Sequence, residues 1–152
     1  MRRKFFQFML SSMFAILLAP HTIAFAVTKK ILNKNLSKEQ KEILFNEGTE
    51  KPFTSSLLHE KRKGFYHCAN CGNKLFSSEA KFDSGTGWPS FSEALPGAFE
   101  TKVDFSFGMM RTEYHCAKCG AHHGHVFNDG PTKTKKRFCN NGLCLIFKPS
   151  DT

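Results

Sequence analysis

The chain has 152 residues, 40% of them hydrophobic, with 22 lysines and arginines against 13 acidic residues and a formal charge of +9. That size suits one domain with a modest core, and the absence of internal repeats beyond two short cysteine turns excludes a repeat array. The positive charge admits an anionic partner, but no recognition helix and no RNA-binding aromatic motif accompanies it, so it excludes little by itself.

Residues 1–26 read as an export signal. Arg2, Arg3 and Lys4 form a basic start, an apolar run from Phe5 to Ala19 follows, and Pro20 breaks it. Ala24-Phe25-Ala26 supplies small residues for cleavage before Val27. The run is interrupted by Gln7, Ser11 and Ser12 and is short of the about 20 apolar residues of a comfortable membrane span, so a retained anchor is the second reading. Arg2-Arg3-Lys4-Phe5-Phe6 also resembles a twin-arginine signal, although Met1 stands where Ser or Thr is usual, and the general secretory route is preferred. Cleavage would leave 126 residues with a charge of +6.

Residues 27–35 form a basic leader expected to be mobile. Ser37-Lys38-Glu39-Gln40 has the pattern of a capping box and predicts a helix to about Glu47, with Ile43 and Leu44 on its apolar face and Gly48 as the stop. Short apolar runs separated by Gly, Pro, Asn and Ser follow: Gly64 to His67, Leu75-Phe76, Phe99 to Phe107, Arg111 to His115 and Leu143 to Lys148. This pattern predicts a mainly antiparallel β domain.

Cys68-Ala-Asn-Cys71 and Cys116-Ala-Lys-Cys119 are matched pairs, each followed by glycine and separated by 44 residues. Two such turns supply four thiolates for one tetrahedral structural zinc joining distant parts of the fold. The alternative is two redox dithiols or disulfides, which an oxidising compartment favours. Trp88, in Gly87-Trp88-Pro89-Ser90-Phe91, suits either the wall of a pocket or a plug in the core. His122, His125 and Asp129 could bind a second metal, fill polar surface, or form a hydrogen-bonding wall around a reacting oxygen; the last is preferred. His123 is expected to face elsewhere. Asp129-Gly130-Pro131 is also a competent turn.

Arg137 to Asn141 reads as a strand with Arg137, Cys139 and Asn141 on one face, where the guanidinium would favour the reactive thiolate of Cys139. In an extended chain Cys139 and Cys144 would lie some 16 Å apart, whereas a disulfide needs Cα atoms within about 7 Å. They are expected not to pair unless Gly142 bends the chain sharply.

The segments Lys81 to Phe91, Cys119 to Pro131 and Arg137 to Asn141 closely resemble the B-type peptide-methionine sulfoxide reductases, with order and spacing kept from about Leu36 to Pro149. The resemblance implies a domain over 36–149 of two antiparallel sheets with a short N-terminal helix and a structural zinc held by Cys68, Cys71, Cys116 and Cys119. It implies that Cys139 attacks the sulfoxide sulfur of the R epimer and becomes a sulfenic acid. His122, His125, Asp129 and Asn141 would order water and help protonate the oxygen, and Arg137 would activate the thiol. Trp88 would receive the substrate methyl group, with Phe91 as a second substrate-binding aromatic.

Three departures are visible. Thr86 stands where many members carry a resolving cysteine, so an external thiol or a thioredoxin-like reductant is expected to regenerate the enzyme. His123 and Asn140 stand where the family often has apolar residues. Export would also require a reductant outside the cytosolic pool. The expected protein is an exported, periplasmic repair enzyme, a monomer with no nucleic-acid partner. The competing reading is a basic zinc-ribbon module binding nucleic acid or an anionic polymer.

Overall fold

A computed structural model describes residues 28–150. The expected export signal over 1–26, Val27 and residues 151–152 lie outside the described residues. Among these no helix is long and apolar enough to cross a membrane.

Among the described residues one α-helix, α1 (Lys38–Asn46), precedes nine strands. Its start is the expected capping box: the Ser37 hydroxyl accepts from Gln40 N at 3.1 Å while Gln40 Oε1 accepts from Ser37 N at 3.0 Å. Such a cap is worth about 1 kcal/mol. The helix ends one residue before the expected limit, with Glu47 rather than Gly48 in the left-handed region at φ 59°. Ile43 and Leu44 are its buried residues.

The strands form two antiparallel sheets, as expected. β1 (Gly64–Cys68) lies between β2 (Lys74–Ser77) and β9 (Leu145–Pro149) in a three-stranded sheet. The six-stranded sheet has the order β3 (Lys81–Phe82), β4 (Ser90–Phe91), β8 (Arg137–Asn140), β7 (His122–Phe127), β6 (Arg111–Cys116), β5 (Phe99–Asp104). Between them lies an aromatic core. Phe76 stacks on Phe91 at 4.0 Å, and Tyr66, Phe99, Tyr114 and Phe138 pack around this pair. Each such side chain contributes about 1.5–3 kcal/mol when fully buried.

Several expectations change. Phe91 is not a substrate-binding residue: it is completely buried in this core, because its strand turns it away from the cavity described below. The leader is not free. Asn70, inside the first cysteine turn, accepts from Leu32 N at 2.8 Å and donates to Lys30 O at 2.7 Å, tying the leader to that turn. The strand expected from Leu143 starts at Leu145, because Gly142–Cys144 forms one 3-10 turn that carries the chain from one sheet to the other. Gly142 therefore does bend the chain, yet Cys139 and Cys144 are both free thiols.

Candidate active site and metal centre

The two cysteine turns fold alike. Gly72 N donates to Cys68 O and Gly120 N to Cys116 O, both at 2.8 Å, with the glycines at φ 71° and 67°. That conformation is costly for any residue with a Cβ, which explains the glycine after each pair. Four Sγ atoms meet within 4.8 Å of one another. Cys68 Sγ and Cys119 Sγ are 3.8 Å apart, and Cys71 Sγ and Cys116 Sγ 3.6 Å. Thiolates placed tetrahedrally at a zinc–sulfur distance of about 2.3 Å would be separated by about 3.8 Å, so the set fits one metal ion. The cluster joins the ends of β1 and β6, which belong to different sheets.

The cavity lies on the six-stranded sheet and has a volume of about 120 Å³. Cys139, His122, His125, Asn141 and Trp88 all line it, together with Arg111 and Thr49. β8 supplies Cys139, and β7 pairs beside it with His125 opposite Cys139.

His122 and His125 would point to opposite faces of a regular strand. They share one because β7 carries an irregularity between the pairs Tyr114↔Gly124 and His115↔His122, where His123 is the extra residue. The two rings lie 5.7 Å apart between centroids. Each has a carboxylate partner: His122 Nδ1 is 2.9 Å from Glu113 Oε1, and His125 Nε2 is 2.7 Å from Asp104 Oδ2. Burial pushes the Glu113 carboxyl up, but His122 and Lys102 together hold it below its ordinary value. Lys102 Nζ stands 3.2 Å from Glu113 Oε2, and it also meets Glu47. Burial drives His125 below its ordinary value against the pull of Asp104.

Arg137 forms a two-pronged pair with Asp129, both contacts at 2.8 Å, and lies over the Phe127 ring at 4.4 Å. Asp129 is thus displaced from its expected place: its side chain is 60% exposed and does not line the cavity. Its role in the geometry is to hold Arg137. The Arg137 guanidinium favours the Cys139 thiolate, but it is not the dominant influence on that thiol. Burial dominates and holds the thiol above its ordinary value, opposed by the Arg137 charge and by hydrogen bonds from Thr86 and Arg137. A guanidinium already paired with a carboxylate offsets burial only in part.

Thr86 belongs to a hydroxyl chain. Ser84 Oγ meets Thr86 Oγ1 at 2.8 Å and the buried Ser90 Oγ at 2.7 Å, and Ser90 pairs with Cys139 across the sheet. Asn141 is committed to the scaffold. Its Oδ1 accepts from Glu50 N at 3.0 Å and its Nδ2 donates to His123 O at 3.0 Å. Asn140 is buried without penalty, accepting from Tyr114 OH at 3.0 Å and donating to Asn141 O at 2.7 Å.

Sequence reasoning missed Glu50, Glu113 and Asp104. Glu50 organises the cavity rim: its carbonyl accepts from the Trp88 indole at 2.9 Å, and its buried carboxylate accepts from Gly142 N at 2.5 Å. Burial raises that carboxyl above its ordinary value, against the two backbone donors. Glu50 carried no sequence signal, lying in a loop beside Lys51 and Pro52. For Glu113 and Asp104 a signal existed, because both fall on predicted strand runs.

The SelR domain model matches residues 36–149. The chain belongs to the SelR domain family. This SelR chain is 49% identical over 119 residues to the peptide methionine sulfoxide reductase MsrB of Methanosarcina barkeri, covering 78% of this chain and 84% of that one. It is 56% identical over 108 residues to the Variovorax paradoxus protein of the same name, covering 70% and 79%. It is also 47% identical over 122 residues to the mitochondrial methionine-R-sulfoxide reductase B3 of Mus musculus, covering 80% of this chain and 48% of the mouse protein. Among solved structures, the Mis18 'Yippee-like' domain is similar at a TM-score of 0.49 and 16% identity over 60% of this chain and 100% of that one, too low to carry an argument.

Proposed function

We propose that this SelR chain reduces methionine (R)-sulfoxide, chiefly in oxidised proteins, with Cys139 as the nucleophile. The observation that carries the reading is a half-buried thiol, Cys139, in a small cavity beside Trp88 and two carboxylate-paired histidines. Cys139 Sγ attacks the sulfoxide sulfur, the substrate's sulfur–oxygen bond breaks as the oxygen passes to Cys139, and the thioether leaves with Cys139 oxidised by two electrons to a sulfenic acid. A proton must reach the oxygen. His122 is the group suited to give it, since it lines the cavity and its Nδ1 lies 2.9 Å from the Glu113 carboxylate. Trp88, fixed by its indole hydrogen bond to Glu50 O, forms the apolar wall for the substrate methyl group.

Regeneration takes two external thiol equivalents, which become a disulfide and release water. Thr86 offers no sulfur, and Cys144 is completely buried. A thioredoxin-like dithiol protein is the reductant that suits this arrangement. Zinc is the ion assigned to the four-cysteine site, since a closed tetrathiolate set favours it, and its contribution is structural. Residues 1–26 are assigned to export, which the mass of the mature protein purified from a native envelope fraction would test: an uncut N-terminus there refutes cleavage before Val27.

The decisive assay incubates residues 27–152 with dithiothreitol and a racemic methionine sulfoxide peptide, resolving the epimers by chromatography. Loss of the R epimer alone, falling at least about a thousandfold in Cys139→Ser, is the expected result. Folded, zinc-loaded protein that consumes neither epimer refutes the reading.

A further inference from the structure

Catalysis and metal ligation leave one buried histidine without a role. The His123 ring is completely buried, lies edge-on to Phe99 at 5.4 Å, and has Nε2 3.4 Å from the Sγ of Cys68. As the extra residue of β7, it turns away from His122 and His125 and reaches the cysteine cluster instead.

We propose that His123 Nε2–H donates a hydrogen bond to the Cys68 thiolate, which makes His123 a positioning residue of the metal centre. The inference rests on the assignment of a metal to the four cysteines. The contact with sulfur selects the tautomer. A thiolate offers only lone pairs, so a favourable contact at 3.4 Å requires the proton on Nε2.

The donor has a counterpart on the other cysteine pair. Asn73 Nδ2 approaches Cys116 Sγ at 3.8 Å, so each sheet-end cysteine receives one side-chain N–H. Four thiolates around a divalent ion leave excess negative charge on sulfur. Outer donors spread that charge, fix the sulfur lone pairs and make the thiolates poorer targets for protons and oxidants. Cys68 is completely buried, as is Cys116, so a side-chain donor rather than water must serve each of these sulfurs.

The same residue also grips the catalytic strand. The His123 carbonyl accepts from Asn141 N at 2.9 Å and from Asn141 Nδ2 at 3.0 Å. Its ring therefore meets the metal cluster while its backbone holds the residue two places after Cys139. One side chain and one carbonyl connect the two sulfur sites.

The test uses the mature chain, confirmed first to hold one zinc per chain; absence of zinc would refute the metal assignment itself. Zinc affinity is then measured by competition with a chromogenic chelator for wild type, His123→Leu, which removes the donor at similar volume, and His123→Gln, which retains one. The expected result is a loss of about 10–100-fold in the Leu variant with partial recovery in the Gln variant. Equal affinity in wild type and the Leu variant overturns the proposal. Because a buried substitution can loosen the fold by itself, long-range proton–nitrogen spectra of histidine-labelled, zinc-loaded wild type provide a second readout. They are expected to show His123 protonated on Nε2, and protonation on Nδ1 overturns the proposal. Neither readout uses catalysis, so a failed reductase assay would leave the result intact.

Discussion

The metal end and the cavity each depend on sulfur, but they are built from different kinds of information. At the metal end, two copies of one local turn place two cysteines each, and the backbone hydrogen bonds of the copies match. In the cavity, no local motif places anything. Cys139, Trp88 and the histidine pair of β7 come from three segments and meet only because β4, β8 and β7 pair in one register. A motif-built site tolerates no loss of a member, whereas a register-built site should degrade by steps as its supports are removed.

The largest expected effect is therefore at the metal. Structural zinc sites contribute roughly 10–16 kcal/mol in small peptides near neutral pH, about as much as the whole stability of a typical domain. Stripping the ion with a strong chelator, or the Cys116→Ser change, should abolish the cooperative thermal transition seen by circular dichroism. A sharp transition that survives would mean that the two sheets hold together without the ion, and the contrast between the sites would dissolve.

Next comes the point where the cavity depends on backbone contact. A Cβ on Gly124 would lie 2.0 Å from Cys139 O, and its φ of 156° is itself unfavourable for a side chain. Gly124→Ala should push β7 from β8 and cost about 1–3 kcal/mol in stability, with a reductase loss of at least about tenfold. Intact zinc content in this variant would show that the cavity fails separately. Full activity would mean the strand pair tolerates more displacement than the register argument allows.

This difference also explains what the sequence disclosed. The capping box, the cysteine turns and most apolar strand runs carry local signals, and the structure has them near their expected places. β7 carries none. Its Gly124 and three histidines hide a strand whose central position is set by pairing on both sides. The shared face of His122 and His125 was unreadable for the same reason, since it depends on a bulge. Phe91 was misplaced because an aromatic in a pocket motif and an aromatic in a core look alike until the pleat is known. Asp129 was placed in the cavity with its neighbours, although its carboxylate reaches back to Arg137 from outside. Glu50 had to be found by its hydrogen bonds.

A gentler probe of the register-built site is the pH dependence of Cys139 alkylation in zinc-loaded protein. Burial holds the wild-type thiol above its ordinary value, so the thiolate fraction and the reaction rate should still be rising there. Arg137 favours the thiolate, and removing a favourable charge raises the pKa further. Arg137→Met should therefore move the rising limb to higher pH, and Thr86→Val should move it the same way by less, because it removes one hydrogen bond and no charge. An unmoved limb in Arg137→Met would show that Asp129 already cancels the guanidinium at the thiol.

The smallest expected effect concerns the outer support of the cavity. Glu47 accepts from Lys29 at 2.7 Å and from Lys102 at 2.6 Å, joining the leader and the helix end to β5, while Lys102 continues to Glu113 behind His122. The Lys102 hydrogen bond, followed by that of Lys29, draws the Glu47 carboxyl down from 4.5 to about 2. A carboxyl lowered on folding stabilises the native state above its unfolded value, and that stabilisation fades as pH falls from about 4.5 towards 2. The side chain is 41% exposed, so solvent screens most of the gain. Glu47→Gln should cost under about 1 kcal/mol at pH 7, measured by urea unfolding, and the gap from wild type should shrink between pH 5 and pH 3. An equal gap at both ends of that range would assign the loss to packing rather than charge. A fall in R-epimer reduction at pH 7 without loss of stability would instead mean that the ion chain through Lys102 and Glu113 reaches His122, which would make even the periphery part of the register-built site.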